Sequence, residues 1–151
     1  MGKRLDIYKV TLVKESSKVY SVEDSVIRSP QDARDILVKV LDMENLPQEH
    51  FVMLALSTKN KVIGIHTIFV GSMNASIVHP REVFQRALLN SAASIIVSHN
   101  HPSGVPTPSP EDIDVTERLV KGGKLIGIDV LDHLIIGDEG RFVSMKDKGY
   151  M

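Results

Sequence analysis

The 151-residue chain contains no cysteine, and its aromatic content is only 5%. Without thiols there can be no disulfide, no cysteine nucleophile and no thiolate-held metal. The zinc nucleobase deaminases, whose metal needs Cys ligands, are excluded on the same ground. Few aromatic rings leave few platforms on which nucleic-acid bases could stack. The formal net charge of −1 provides no overall basic field of the kind that marks a nucleic-acid binder. No apolar run approaches the ~18 residues of a membrane span, and Met1-Gly2-Lys3-Arg4 is not followed by the apolar core of a signal peptide. A cytoplasmic protein with no membrane partner is the expectation.

A hydrophobic content of 42% in a chain of this length is enough for one ordinary domain with its own core. A single domain over 1–151 is expected, with an N-terminal strand and loop over 1–28 and the core from about residue 29. Ile7–Val13 partly alternates apolar and polar residues and reads as an edge strand, able in principle to pair with another copy. A weak hairpin arm is expected around Lys18–Tyr20. Ser29-Pro30 starts a helix whose face Ala33, Ile36, Leu37, Val40 and Leu41 has core-facing spacing. Phe51–Leu56 reads as a strand buried on both faces, joined through a Lys59-Asn60 turn to a second strand over Val62–Val70. Gly71 and Asn74 mark a loop. A helix then runs from His79-Pro80 to about Asn90, and Ala93–Ser98 is a buried strand that delivers His99. Further on come a helix from Pro110 to about Lys124 broken at Gly122-Gly123, a strand over Val130–Ile136, a turn, and a short strand at Arg141–Val143. Helices alternating with buried strands, with two hairpins among them, give an α/β fold with a mixed sheet between helices.

The densest chemistry lies in His99-Asn100-His101-Pro102, followed by Ser109 and Asp112. Residues i and i+2 of an extended backbone point to one side, so both imidazoles can meet at a common point. With 6 His in the chain, a His-x-His is expected by chance roughly 0.2 times, and one with Asp at this offset roughly 0.02 times. Two His and one carboxylate, with a fourth position left to water, is the open arrangement of a catalytic zinc. Ser109-Pro110-Glu111-Asp112 is also a complete helix start, with Ser109 as N-cap and acids in the first turn. Asp112 can be a ligand, a helix-terminus acid, or both.

These residues resemble the JAMM (JAB/MPN) metalloprotease motif. The wider run SHNHPSGVPTPSPEDIDVTERL, between PREVFQRALLNSAASIIVS and IGIDVLDHLIIGD, looks like the RadC branch of that superfamily. The resemblance spans roughly Ser29 to the C-terminus. It implies a three-layer, cytidine-deaminase-like JAB/MPN core, Zn²⁺ on His99, His101 and Asp112, and hydrolysis of a peptide or isopeptide-type amide by metal-activated water. Such a reaction needs a carboxylate to carry the proton and a donor for the oxyanion. The resemblance gives the donor role to Ser109, although a hydroxyl committed to capping a helix is expected to be less free to donate. It places the acid/base carboxylate just before the first core strand, where Glu49 stands. Glu82 is its rival, with a competing role as a first-turn helix acid. His133 is expected to be a hydrogen-bonded histidine, either of the core or supporting a metal ligand from behind.

RadC-like proteins often carry a helix-hairpin-helix region ahead of this domain. The first 30 residues show no such pattern, so the short single-domain form is expected, and nucleic acid stays an open partner that the charge does not support. A protein or peptide substrate is the expected partner. The alternatives are a non-catalytic MPN-type interaction domain and a metal-dependent DNA repair factor or nuclease, the last suggested by the family's name. Oligomeric state is not readable.

Overall fold

The computed structural model describes residues 1–17, 19, 25–72 and 78–151. Its order is α1 (Pro30–Leu41), β1 (His50–Leu56), β2 (Val62–Val70), α2 (Pro80–Leu89), β3 (Ser94–Asn100), α3 (Pro110–Ile126), β4 (Asp129–Ile136) and β5 (Phe142–Ser144). The strands form one sheet in the order β2-β1-β3-β4-β5, with β3 and β4 parallel and the other neighbours antiparallel.

Strand alternation builds the layers. Phe51, Met53 and Ala55 of β1, with Ile95 and Val97 of β3, pack against Val83, Phe84 and Ala87 of α2 and Val115 and Leu119 of α3. Val52, Leu54 and Leu56, with Ile96, Leu134 and Ile136, turn the other way onto Ala33, Ile36 and Leu37 of α1. The sheet therefore lies between α1 on one face and α2 with α3 on the other, and β1 and β3 are buried on both sides as their apolar runs require. The fold is α/β with a mixed sheet, as expected. No helix among the described residues is long and apolar enough to cross a membrane.

Three sequence expectations need correction or limits. Ile7–Val13 forms no strand: the described residues 1–17 carry no regular structure, and Ile7, Tyr8, Val10 and Val13 are exposed. Alternation supplies a strand only where a neighbouring edge and an apolar surface are available. The outer edge of β2 is met instead by Val26, which bridges to Lys61. Lys18 and Tyr20 of the expected hairpin arm and the loop marker Asn74 lie outside the described residues, and Val19 is exposed and carries no regular structure.

The expected break at Gly122-Gly123 is also absent, since α3 runs through both glycines and ends at Gly127, which adopts φ 84°. The pair is needed for close approach. A Cβ on Gly123 would lie 2.4 Å from the Ile128 carbonyl oxygen and 3.3 Å from Phe84. Helix propensity predicts that Gly123→Ala stabilises by about 1 kcal/mol, whereas a backbone clash predicts a loss of about 1–3 kcal/mol. The clash should prevail, because a carbonyl in the chain reversal cannot swing aside as a side chain can. A urea melt decides the sign, and a higher midpoint for Gly123→Ala would refute the close-packing account.

Candidate metal centre

Strand polarity brings the candidate residues together. β3 ends at Asn100, and β1 runs antiparallel to it with Phe51 opposite His99. The end of β3 and the residues just before β1 thus share one end of the sheet. The first turn of α3 returns there after the Pro102–Pro108 loop, in the usual place for a site beyond the carboxyl ends of parallel strands.

His99 follows Ile95 and Val97 onto the α2/α3 face and is fully buried. Its Nε2 lies 3.0 Å from Nε2 of His101. His101 is held by its backbone N–H, which donates to the Ile136 carbonyl at 2.9 Å, and by its ring Nδ1, 2.8 Å from the Val105 carbonyl. A carbonyl only accepts, so Nδ1 carries a proton, and in the neutral ring the Nε2 lone pair faces His99. Asp112 places Oδ1 3.1 Å from His99 Nε2 and Oδ2 3.3 Å from His101 Nε2. Glu49 Oε1 is 3.9 Å from His99 Nε2. Glu49, His99 and His101 offer ligand atoms within 4.8 Å of one another, a group able to hold a metal ion, and Asp112 stands closer still to both rings. Glu82 is not in this group; it sits in the first turn of α2, where its carbonyl accepts from the Arg86 side chain at 2.9 Å.

The helix cap and the imidazole cluster share Asp112. Ser109 Oγ accepts from the Asp112 N–H at 3.1 Å, and Asp112 Oδ2 accepts from the Ser109 N–H at 2.7 Å, a reciprocal capping box. The expected competition over Ser109 does not arise. Capping uses its oxygen as an acceptor and leaves the hydroxyl proton free to donate.

Asn100 turns away from the cluster but positions Glu49. Its Oδ1 accepts from the His50 N–H at 2.8 Å, and its Nδ2 donates to the Gln48 carbonyl at 3.0 Å. The Glu49 carbonyl accepts from the Gly71 N–H at 2.9 Å. The backbone on both sides of Glu49 is therefore pinned, while its side chain stays partly accessible. A cleft of ≈ 340 Å³ opens beside it, lined by Pro47, Gln48, Gly71, Ser72 and Pro102.

Electrostatically the cluster calls for positive charge. Burial pushes the Asp112 carboxyl up, but the adjoining His101 and His99 rings, which donate to it only when protonated on Nε2, and the Ser109 N–H outweigh it, and in the absence of metal the group is held far below the usual carboxylate range. Burial pushes the His101 imidazole down, yet Asp112, the Val105 carbonyl and the charge of Glu49 raise it above its ordinary value. Two lone pairs and a buried carboxylate within about one hydrogen-bond length need either a proton or a cation between them. Nitrogen and oxygen donors without thiolate suit zinc or a similar divalent ion.

The chain matches the family model described as RadC-like JAB domain over residues 27–150. It belongs to the RadC-like JAB domain family. It is similar to a UPF0758 protein of Geobacillus sp. (strain WCH70), 64% identical over 126 residues, which cover 83% of this chain and 54% of that protein. It is also similar to the UPF0758 protein YsxA of Bacillus subtilis (strain 168), 59% identical over 134 residues, covering 89% of this chain and 57% of the relative. The chain thus spans about half the length of the curated relatives it matches.

Three further groups at this RadC-like site carry no motif of their own. Phe51 stacks on His99 with ring centroids 6.2 Å apart and planes inclined at 15°. His133, fully buried on β4, places Nε2 2.8 Å from His99 Nδ1. Burial pushes its pKa well below the ordinary histidine value, so its ring is neutral. Thr116 Oγ1 lies 2.6 Å from the other His133 nitrogen and 2.6 Å from the Asp112 carbonyl. Thr116 was legible in one respect: it stands one helical turn after Asp112, a polar residue on the face that Val115 and Leu119 bury.

Proposed function

We propose that this domain is a zinc-dependent hydrolase of peptide or isopeptide-type amide bonds, with His99, His101 and Asp112 as metal ligands. The observation that carries this reading is the convergence of two imidazole Nε2 lone pairs and the Asp112 carboxylate at 3.0 to 3.3 Å. Zinc bound there supplies Lewis acidity, which lowers the pKa of a water from ~15.7 toward ~7. Glu49 is the acid/base: its carboxylate, beside the cluster and open to the cleft, takes the proton of the attacking water and returns it to the leaving amine. Ser109, with its hydroxyl proton uncommitted by the cap, donates to the developing oxyanion. The cleft bordered by Gln48 and Pro102 is the approach for an extended peptide.

Elemental mass spectrometry of protein purified without added metal tests the reading, with His99→Ala/His101→Ala as control. About one zinc per chain, lost in the control, is the expected result. A wild-type protein without metal that also takes up none from added zinc overturns it, and the fold would then serve as a non-catalytic interaction domain.

A further inference from the structure

The hydrogen bonds behind His99 have one consistent direction, and it begins at a carbonyl. The Asp112 carbonyl oxygen can only accept, so Thr116, 2.6 Å away, spends its single hydroxyl proton there. The Thr116 oxygen must then accept from His133 Nδ1, also at 2.6 Å, because two lone pairs at that distance would repel. Fully buried between Thr116 and His99 with no carboxylate partner among the described residues, the His133 ring is neutral, so its single proton is on Nδ1 and a bare Nε2 faces His99. Across that 2.8 Å contact His99 Nδ1 is the donor, so in the neutral His99 ring Nε2 is the bare nitrogen, facing His101 and Asp112. Each polar atom in the thread has a partner, as burial at this depth demands.

The sheet is irregular at the point that makes this contact. β4 pairs with β3 as Ile95↔Val130 and then Ile96↔Asp132, so Leu131 is an extra residue. Val130 packs on the α2/α3 side, whereas Leu131 packs on the α1 side and Asp132 lines a cavity there. Uninterrupted alternation from Val130 would have sent His133 to the α1 face. The bulge restores it to the face of His99, in keeping with the tendency of bulges to re-aim a side chain beside a site.

We propose that His133 and Thr116 are positioning residues that fix the tautomer of His99, through the thread His99 Nδ1–H to His133 to Thr116 to the Asp112 carbonyl, so that Nε2 is the nitrogen offered to a metal. This rests on the metal reading above. A neutral histidine is an unusual acceptor for such a role, and Thr116 is what makes it one by holding the His133 proton on the far nitrogen. Asp112 then serves twice, anchoring the thread with its backbone and closing the cluster with its carboxylate.

Long-range ¹H–¹⁵N spectra of metal-free protein, followed from neutral to alkaline pH, read directly which ring nitrogens carry protons. The wild type should show His99 with its proton on Nδ1. In His133→Leu the Nε2–H form should become populated, and zinc affinity, measured by chelator competition, should fall 10–100-fold. His133→Gln keeps an amide oxygen able to accept from His99 and should hold affinity within about threefold of wild type. A folded His133→Leu with unchanged His99 tautomer and affinity overturns the proposal. So does a His133→Gln that fails as badly as His133→Leu, since that would mark a packing role. Should His133→Leu not fold, Thr116→Val removes the hydroxyl at nearly constant volume and should mix the tautomers of both rings, while Thr116→Ser should not. Wild-type protein that binds no zinc defeats the metal reading alone, because the metal-free spectra still decide the wiring.

Discussion

Asp112→Ala is expected to lose its zinc and to loosen the start of α3 at the same time. The carboxylate lies nearest both imidazoles, and it is the group whose charge the site holds most firmly in the ionised form. Removing it leaves two imidazoles, and zinc per chain should fall to background. The same substitution orphans the Ser109 N–H, which donates to Asp112 Oδ2 at 2.7 Å, at a cost of about 1–2 kcal/mol in metal-stripped protein. Asp112→Asn separates the two effects. Its amide oxygen can still accept from Ser109, so the urea midpoint should recover most of the loss, while a neutral oxygen remains a poor zinc ligand. Full zinc retention in Asp112→Ala would sink the ligand assignment and make Glu49, the other carboxylate beside His99, the third ligand.

That Asp112 is both helix cap and neighbour of two imidazoles could be read from spacing alone, because both relations are local. Ser109-Pro110 fixes where α3 starts, His-x-His fixes a common side, and neither needs the rest of the fold. The same holds for Ser29-Pro30 at α1 and for the apolar runs of β1 and β3. Relations through space left weaker traces. Whether Glu49 or Glu82 reaches the cluster depends on β1 running antiparallel to β3 with Phe51 opposite His99, a register that no local pattern states. His133 could be read as a buried, hydrogen-bonded histidine in the core or behind a metal ligand, and the structure puts it behind His99; which ligand it meets could not be read. One extra residue at Leu131 decides which face it takes, and a bulge of this kind has no sequence signature here beyond an ordinary apolar run. Gly122-Gly123 was misleading for a related reason: glycine marks a break when flexibility is needed and a helix interior when closeness is, and only the positions of Phe84 and Ile128 tell the two apart.

Glu49→Gln is expected to abolish turnover of peptide or isopeptide-type amides while leaving zinc content unchanged. Loss of a positioned acid/base residue costs ~10²–10⁴-fold in rate, or about 3–5 kcal/mol of barrier. Loss of an ordinary hydrogen bond costs only about 1 kcal/mol, roughly fivefold in rate. The size of the effect therefore separates a proton carrier from a residue that merely borders the cleft. Geometry favours the former: Oε1 is 3.9 Å from His99 Nε2, farther than either Asp112 contact, and the side chain retains 18% exposure against 3% for Asp112. Glu49 thus stands at the rim of the cluster, beside the cleft from which water and substrate would enter, and the Asn100 and Gly71 contacts keep the adjoining backbone from moving. Cleavage of a pooled peptide library, followed by mass spectrometry beside zinc analysis of the same samples, reads both quantities. Zinc lost with activity would make Glu49 a ligand, and activity within tenfold of wild type would pass the proton-carrying role to another group.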